Sequence, residues 1–162
     1  MATLNQFKIE LTIKELQAYV KSKPHNDKIS DIVQEIEEEG CRVTNQLRWV
    51  ESSHSLPKKL PLKGNSLMRI SLLRNHPDND IRLRVVWTIF HEYGHYKSGL
   101  PDEDPMPIDE RDRREILAWK LGIKMARKYF KEWELNDYKV YANRCLGTYN
   151  ILPIKPDEWS SK

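Results

Sequence analysis

Cysteine is scarce in this 162-residue chain. Cys41 and Cys145 stand far apart and neither belongs to a Cys-x-x-Cys pair. That spacing argues against a disulfide framework and against a thiolate zinc site, and predicts two buried free thiols in a reducing cytosol. Long apolar runs are missing too. No stretch approaches transmembrane length and Met1–Lys8 has no apolar signal core, so the expected location is cytoplasmic, with no membrane partner. A dominant charge is also lacking. The net charge is +3, with acidic and basic residues interleaved, which is too weak and too mixed to predict a nucleic-acid partner. There is no internal repeat or low-complexity linker. With 39% hydrophobic and 31% charged residues, residues 1–162 are expected to form one domain that buries a core without staples.

What the chain does contain is His91-Glu92-Tyr93-Gly94-His95. On a helix, residues four apart share a face, so His91 and His95 can point at one small object, and two imidazoles at that spacing suit a zinc ion. Glu92 falls beside them, placed to hold a water rather than the metal. The opposite arc carries Leu83, Val85, Val86, Ile89, Phe90 and Tyr93, which gives the helix a back to bury. The plain alternative is a solvated histidine pair on the wet side of an amphipathic helix. Gly94 speaks against it, because a mid-helix glycine costs about 1 kcal/mol relative to alanine and suggests a close neighbour.

Around this motif the periodicity predicts mostly helix. Ile9, Ile13, Leu16 and Val20 repeat at helical spacing behind a capping box at Thr12–Glu15. A second helix, capped by Asn26-Asp27 and closed by Gly40, carries Ile29, Ile32, Val33 and Ile36. Residues 41–50 and 67–73 read as strands, with an irregular or edge segment from Leu56 to Leu62. A small antiparallel sheet of about three strands is therefore expected ahead of the motif helix. The loop 75–80 is expected to cap that helix. Beyond a proline-rich connection, a long helix is expected from Asp109 to Trp133 and another from Asp137 to Leu146, before a Pro153/Pro156 tail. The fold class expected is α+β.

A catalytic zinc needs three protein ligands and an open position. Ser98 and Pro101 stand where the metzincin pattern requires Gly and His, so the third ligand is sought on a later helix. Glu115 qualifies, with Ala118 and Gly122 on the same face to let its helix lie close to a partner. Asp109, Glu110 and Asp112 are rivals and His76 is a distant one; a surface pairing of Glu115 with Arg111 or Arg114 is the bland alternative.

The run Val86-Trp87-Thr88-Ile89-Phe90-His91-Glu92-Tyr93-Gly94-His95, followed by Glu115-Ile116-Leu117-Ala118, resembles the ImmA/IrrE family of small cytosolic zinc metallopeptidases. The likeness spans about residues 81 to 125. It implies a zincin-like fold, Zn2+ held by His91, His95 and Glu115, and Glu92 as the base. In one respect the chain departs from the family: Trp119 stands where Asp or Asn is common, so a group that orients a ligand histidine is missing or supplied elsewhere. The family's frequent helix-turn-helix partner domain is not recognisable. The reading that follows is hydrolysis of a peptide bond in a protein substrate, such as a transcriptional repressor or a neighbour-encoded regulator of a mobile element. Tyr138, Tyr141 and Arg144 are unranked candidates for holding the oxyanion; the acidic loop Asp102-Glu103-Asp104 is a candidate border of the cleft, with a plain solvated loop the favoured reading. The rival reading is a non-proteolytic interaction module, one half of a toxin–antitoxin or phage regulatory pair.

Overall fold

A computed structural model describes residues 10, 13–14, 16–17, 23–46, 54–55, 66–71, 84–99 and 106–160. The expected first helix falls largely outside them, although the described positions are helical and Ile13 and Leu16 are buried. Helix α1 spans Lys23–Glu38. It begins ahead of Asn26 because Pro24 is tolerated in a first turn, where its missing N–H would have no partner anyway. Ile29, Ile32, Val33 and Ile36 are fully buried along its inner face, and Gly40 follows it at φ 97°, a conformation glycine adopts freely.

Strands β1 (Cys41–Gln46), β2 (His54–Ser55) and β3 (Ser66–Ser71) form a sheet in the order β1-β3-β2. Here the expectation fails. β1 pairs with β3 in parallel, from Cys41 opposite Ser66 to Gln46 opposite Ser71, and only β2 runs antiparallel to β3. Residues 47–65 are long enough for the crossover that parallel pairing requires. Alternation along each run reports a half-buried strand but carries no direction. Of the strand side chains, only that of Cys41 is described, and most of the remaining described side-chain core is carried by helices. The expectation of an α+β, zincin-like fold on an antiparallel sheet is corrected accordingly: the part of the chain that carries the core is helical. The Leu56–Leu62 segment, the loop 75–80 and the acidic loop at 102–104 lie outside the described residues.

Helix α2 spans Val85–Ser98, helix α3 Ile108–Ala126 and helix α4 Glu132–Gly147. The long helix expected over 109–133 is thus broken in two. No proline or glycine marks the break; Phe130 does, buried there with its ring edge-on to Trp87 at 5.0 Å and to Phe90 at 6.0 Å. Burying that ring between helices outweighs the propensity of the segment to continue. Trp133 then belongs to the first turn of α4 and is exposed. α4 buries Leu135, Tyr138, Ala142 and Leu146. The tail folds back as well, with Ile151, Ile154 and Trp159 buried and a short 3-10 turn at Pro156–Ser160. Among the described residues no helix is long and apolar enough to cross a membrane.

α2 and α3 meet backbone to backbone. A Cβ on Gly94 would lie 1.8 Å from the carbonyl oxygen of Ala118, and one on Gly122 would lie 2.4 Å from that of Phe90. Because Gly94 faces Ala118 while Phe90 faces Gly122, the two helices run antiparallel. The mid-helix glycine and the small face of α3, both visible in the sequence, are two sides of one contact.

At both ends α2 is tied down by polar groups. The indole N–H of Trp87 donates to Asp137 on α4 at 2.8 Å, and Arg84 lies 3.6 Å from the same carboxylate. At the other end the Tyr96 hydroxyl donates to the carbonyl of Glu39 at 2.8 Å, beyond the end of α1.

Gly94→Ala is expected to destabilise the protein by about 1–3 kcal/mol, or to force the helices apart, since a backbone carbonyl cannot yield as a side chain can. A thermal melt of the variant that matches wild type would show that the two helices do not approach so closely.

Candidate metal centre

The α2–α3 contact decides where the motif points. His91, half-buried, and His95, buried, leave α2 on the side facing α3, and Glu115 comes back from α3. His91 Nε2 lies 3.1 Å from Glu115 Oε2, His95 Nε2 lies 3.3 Å from Glu115 Oε1, and the two Nε2 atoms are 3.1 Å apart. A tetrahedral zinc with bonds of about 2.0–2.2 Å has ligand–ligand edges of roughly 3.3–3.5 Å. Each imidazole nitrogen therefore lies at about that spacing from the other and from one Glu115 oxygen, a different oxygen for each. Two imidazole nitrogens and one carboxylate are also a donor set that zinc accepts.

Glu92 is almost wholly buried, and its carboxylate joins the two imidazoles in a group whose ligand atoms all lie within 4.8 Å of one another. It is thus beside the donors, as its position one residue after His91 requires.

The rivals for the third position separate cleanly. Asp109 and Glu110 are exposed, Asp112 is engaged by the Arg111 guanidinium at 3.0 Å, and His76 lies outside the described residues. Glu115 is paired with the histidines, so the bland alternative of a surface pairing with Arg111 or Arg114 does not describe it.

Electrostatics follow from this packing. Burial, and then the neighbouring His95, push the His91 pKa down to about 4, against the opposing pull of Glu115. Burial alone would raise the Glu115 carboxyl, but its hydrogen bonds with His91 and His95 outweigh that and hold it well below the usual carboxylate range. Around neutral pH this leaves a neutral imidazole beside an ionised carboxylate, the protonation states in which each can ligate a metal.

Trp119 stacks on His91, ring centroids 4.1 Å apart and planes 26° from parallel. The Tyr138 hydroxyl donates to the Trp119 carbonyl at 2.8 Å in a buried position, which turns it away from oxyanion duty. Tyr141 is half-buried, with its ring edge-on to Trp119 at 5.9 Å, and Arg144 is exposed. Sequence reasoning passed over Tyr149. This residue follows the end of α4, its ring lies 5.0 Å from the Arg111 guanidinium, and Arg111 donates to its carbonyl at 3.3 Å. Burial raises its phenol pKa first, and the charges of Glu115 and Glu92 add to the rise while Arg111 opposes it. Only its place after α4, one turn of α3 from Glu115 through Arg111, could have flagged it, and that is tertiary information. No disulfide joins the two cysteines; Cys41 is buried and Cys145 half-buried.

Comparison with protein-family models, curated proteins and solved structures returns no match. The site must stand on its own geometry.

One zinc per chain is expected on titration, with His91→Ala and Glu115→Ala weakening it strongly and Asp112→Ala leaving it intact. Retention of the metal by Glu115→Ala would remove that residue from the ligand set.

In chelator-treated protein, pH should matter in a defined window. The folded His91 pKa lies below the ordinary 6.5, with His95, Glu115 and Arg114 the charged or titratable groups acting on it. A group whose folded pKa is depressed contributes stability that is complete above the unfolded pKa and is lost as pH falls through the folded one. The melting temperature should accordingly drop between about pH 6.5 and 4, and His91→Gln should flatten that drop; a profile unchanged by the substitution would contradict the assignment.

Proposed function

We propose that this chain is a zinc-dependent metallopeptidase that hydrolyses a peptide bond in a cytosolic protein, similar in its chemistry to the ImmA/IrrE enzymes. The observation that carries the reading is the triangle of His91 Nε2, His95 Nε2 and the Glu115 carboxylate, at 3.1–3.3 Å, with the Glu92 carboxylate alongside. Bound by those three donors, zinc would supply Lewis acidity and lower the pKa of water at its open position. Glu92 has the complementary task. As water attacks the carbonyl carbon, Glu92 accepts its proton, and it then delivers that proton to the departing amine, leaving a carboxylate and an amine as products. The substrate class proposed is a repressor or regulator encoded near this chain, on the strength of the family resemblance alone.

Glu92→Gln tests the reading. It keeps the shape, the fold and the three donors while removing the base, so zinc content should persist and turnover should fall by about 10²–10⁴-fold. The assay is co-expression with neighbour-encoded proteins, followed by mass spectrometry of any fragment. Loss of zinc from Glu92→Gln would make Glu92 a ligand. A fragment equally abundant with wild type and variant would remove this site from the cleavage.

A further inference from the structure

We propose that Trp119 is a positioning residue for the metal centre: its indole, stacked on the His91 imidazole, fixes the plane of that ring so that Nε2 faces His95 and Glu115. The proposal rests on the metal-binding reading above and extends it to a residue that is not itself a donor.

An imidazole turns about a soft torsion, so a histidine that is to ligate a metal must be held by something other than its own backbone. The common device is a hydrogen bond from the other ring nitrogen to a carboxylate or carbonyl. Among the described residues His91 Nδ1 has no hydrogen-bond partner. What the ring has is a flat neighbour, 4.1 Å away and 26° from parallel. The platform is itself fixed. Trp119 is 2% exposed, its carbonyl takes the Tyr138 hydroxyl bond at 2.8 Å, and its ring meets Tyr138 at 5.4 Å and Tyr141 at 5.9 Å edge-on. Stacking fixes a plane but does not choose which edge of the imidazole points inward. Glu115 makes that choice, because its oxygen 3.1 Å from Nε2 favours nitrogen over carbon at that corner. Plane and edge are thus set by two residues of α3 four positions apart, on the face that Gly94 allows to come close.

The test is cobalt binding, read both as affinity and as the visible absorption of the bound ion, which responds to ligand geometry. Trp119→Phe keeps a flat ring and should bind cobalt nearly as wild type does. Trp119→Leu removes it and should lower affinity by about 10–100-fold, the range usual when an outer partner of a metal ligand is lost, and should shift the absorption bands. Trp119→Met, which keeps bulk without a ring, should behave as Leu does and serves in its place if that variant does not fold. Ile123→Ala, fully buried one turn further along α3, controls for general loss of stability and should leave both readouts alone. Wild-type affinity and bands in the Leu or Met variant would overturn the positioning role. So would an affinity loss that Ile123→Ala reproduces at equal melting temperature. If wild type takes up neither cobalt nor zinc, the metal reading itself falls and this proposal falls with it; if wild type and every variant bind alike, only this proposal does.

Discussion

The approach of Gly94 to the backbone of Ala118 is the constraint on which the rest of the structure depends. Two helices can come this close only where both are stripped of bulk, and here the contact lies one residue from His95 and three residues beyond Glu115. Moving α3 outward by the size of a methyl group would carry Glu115 away from both imidazoles. The same step would take Trp119 off His91. Backbone contact and the His91–His95–Glu115 cluster are therefore one feature, and the glycine's cost in helix propensity is offset by the packing it permits.

Around that contact the fold supplies rigidity from several directions. Phe130, Trp87, Phe90 and Tyr138 form an aromatic cluster behind α2, and the Asp137 carboxylate holds the Trp87 indole from α4. The returning tail brings Trp159 against Tyr138 at 6.1 Å. A chain of contacts thus leads from the C-terminal turn, through Tyr138 and Trp119, to His91. Charge plays the smaller part. The ion pairs away from the site, such as Lys128 with Glu35 and Arg127 with Glu132, are largely solvent-exposed, and such pairs are each worth at most about 1 kcal/mol.

Burial at the centre has an electrostatic consequence that suits metal binding. His91 loses its affinity for protons because a cation is poorly solvated there, and Glu115 keeps its charge because two imidazoles face it. A preformed cluster of one ionised carboxylate and two imidazoles would otherwise be a costly thing to hold in a protein interior. A divalent cation at the point where they converge would relieve that cost, which is the physical reason a metal centre is proposed here.

Much of this was legible in the chain itself. Spacing alone put His91 and His95 on one face, set Glu92 beside them and marked Gly94, Ala118 and Gly122 as a close-packing surface, because helical geometry turns sequence separation into direction. The buried stripe of α1 and the apolar back of α2 were readable for the same reason. Sequence could offer Glu115, with rivals, as the candidate third donor, but only the register of α3 against α2 brings one of its oxygens within 3.3 Å of each imidazole. Strand direction, the break at Phe130 and the fold-back of Trp159 were settled by contacts distant in sequence, for which local periodicity carries no signal. Trp119 shows the division most plainly: its identity could be read as an unexpected residue, while its use as a platform for His91 exists only once two helices pack.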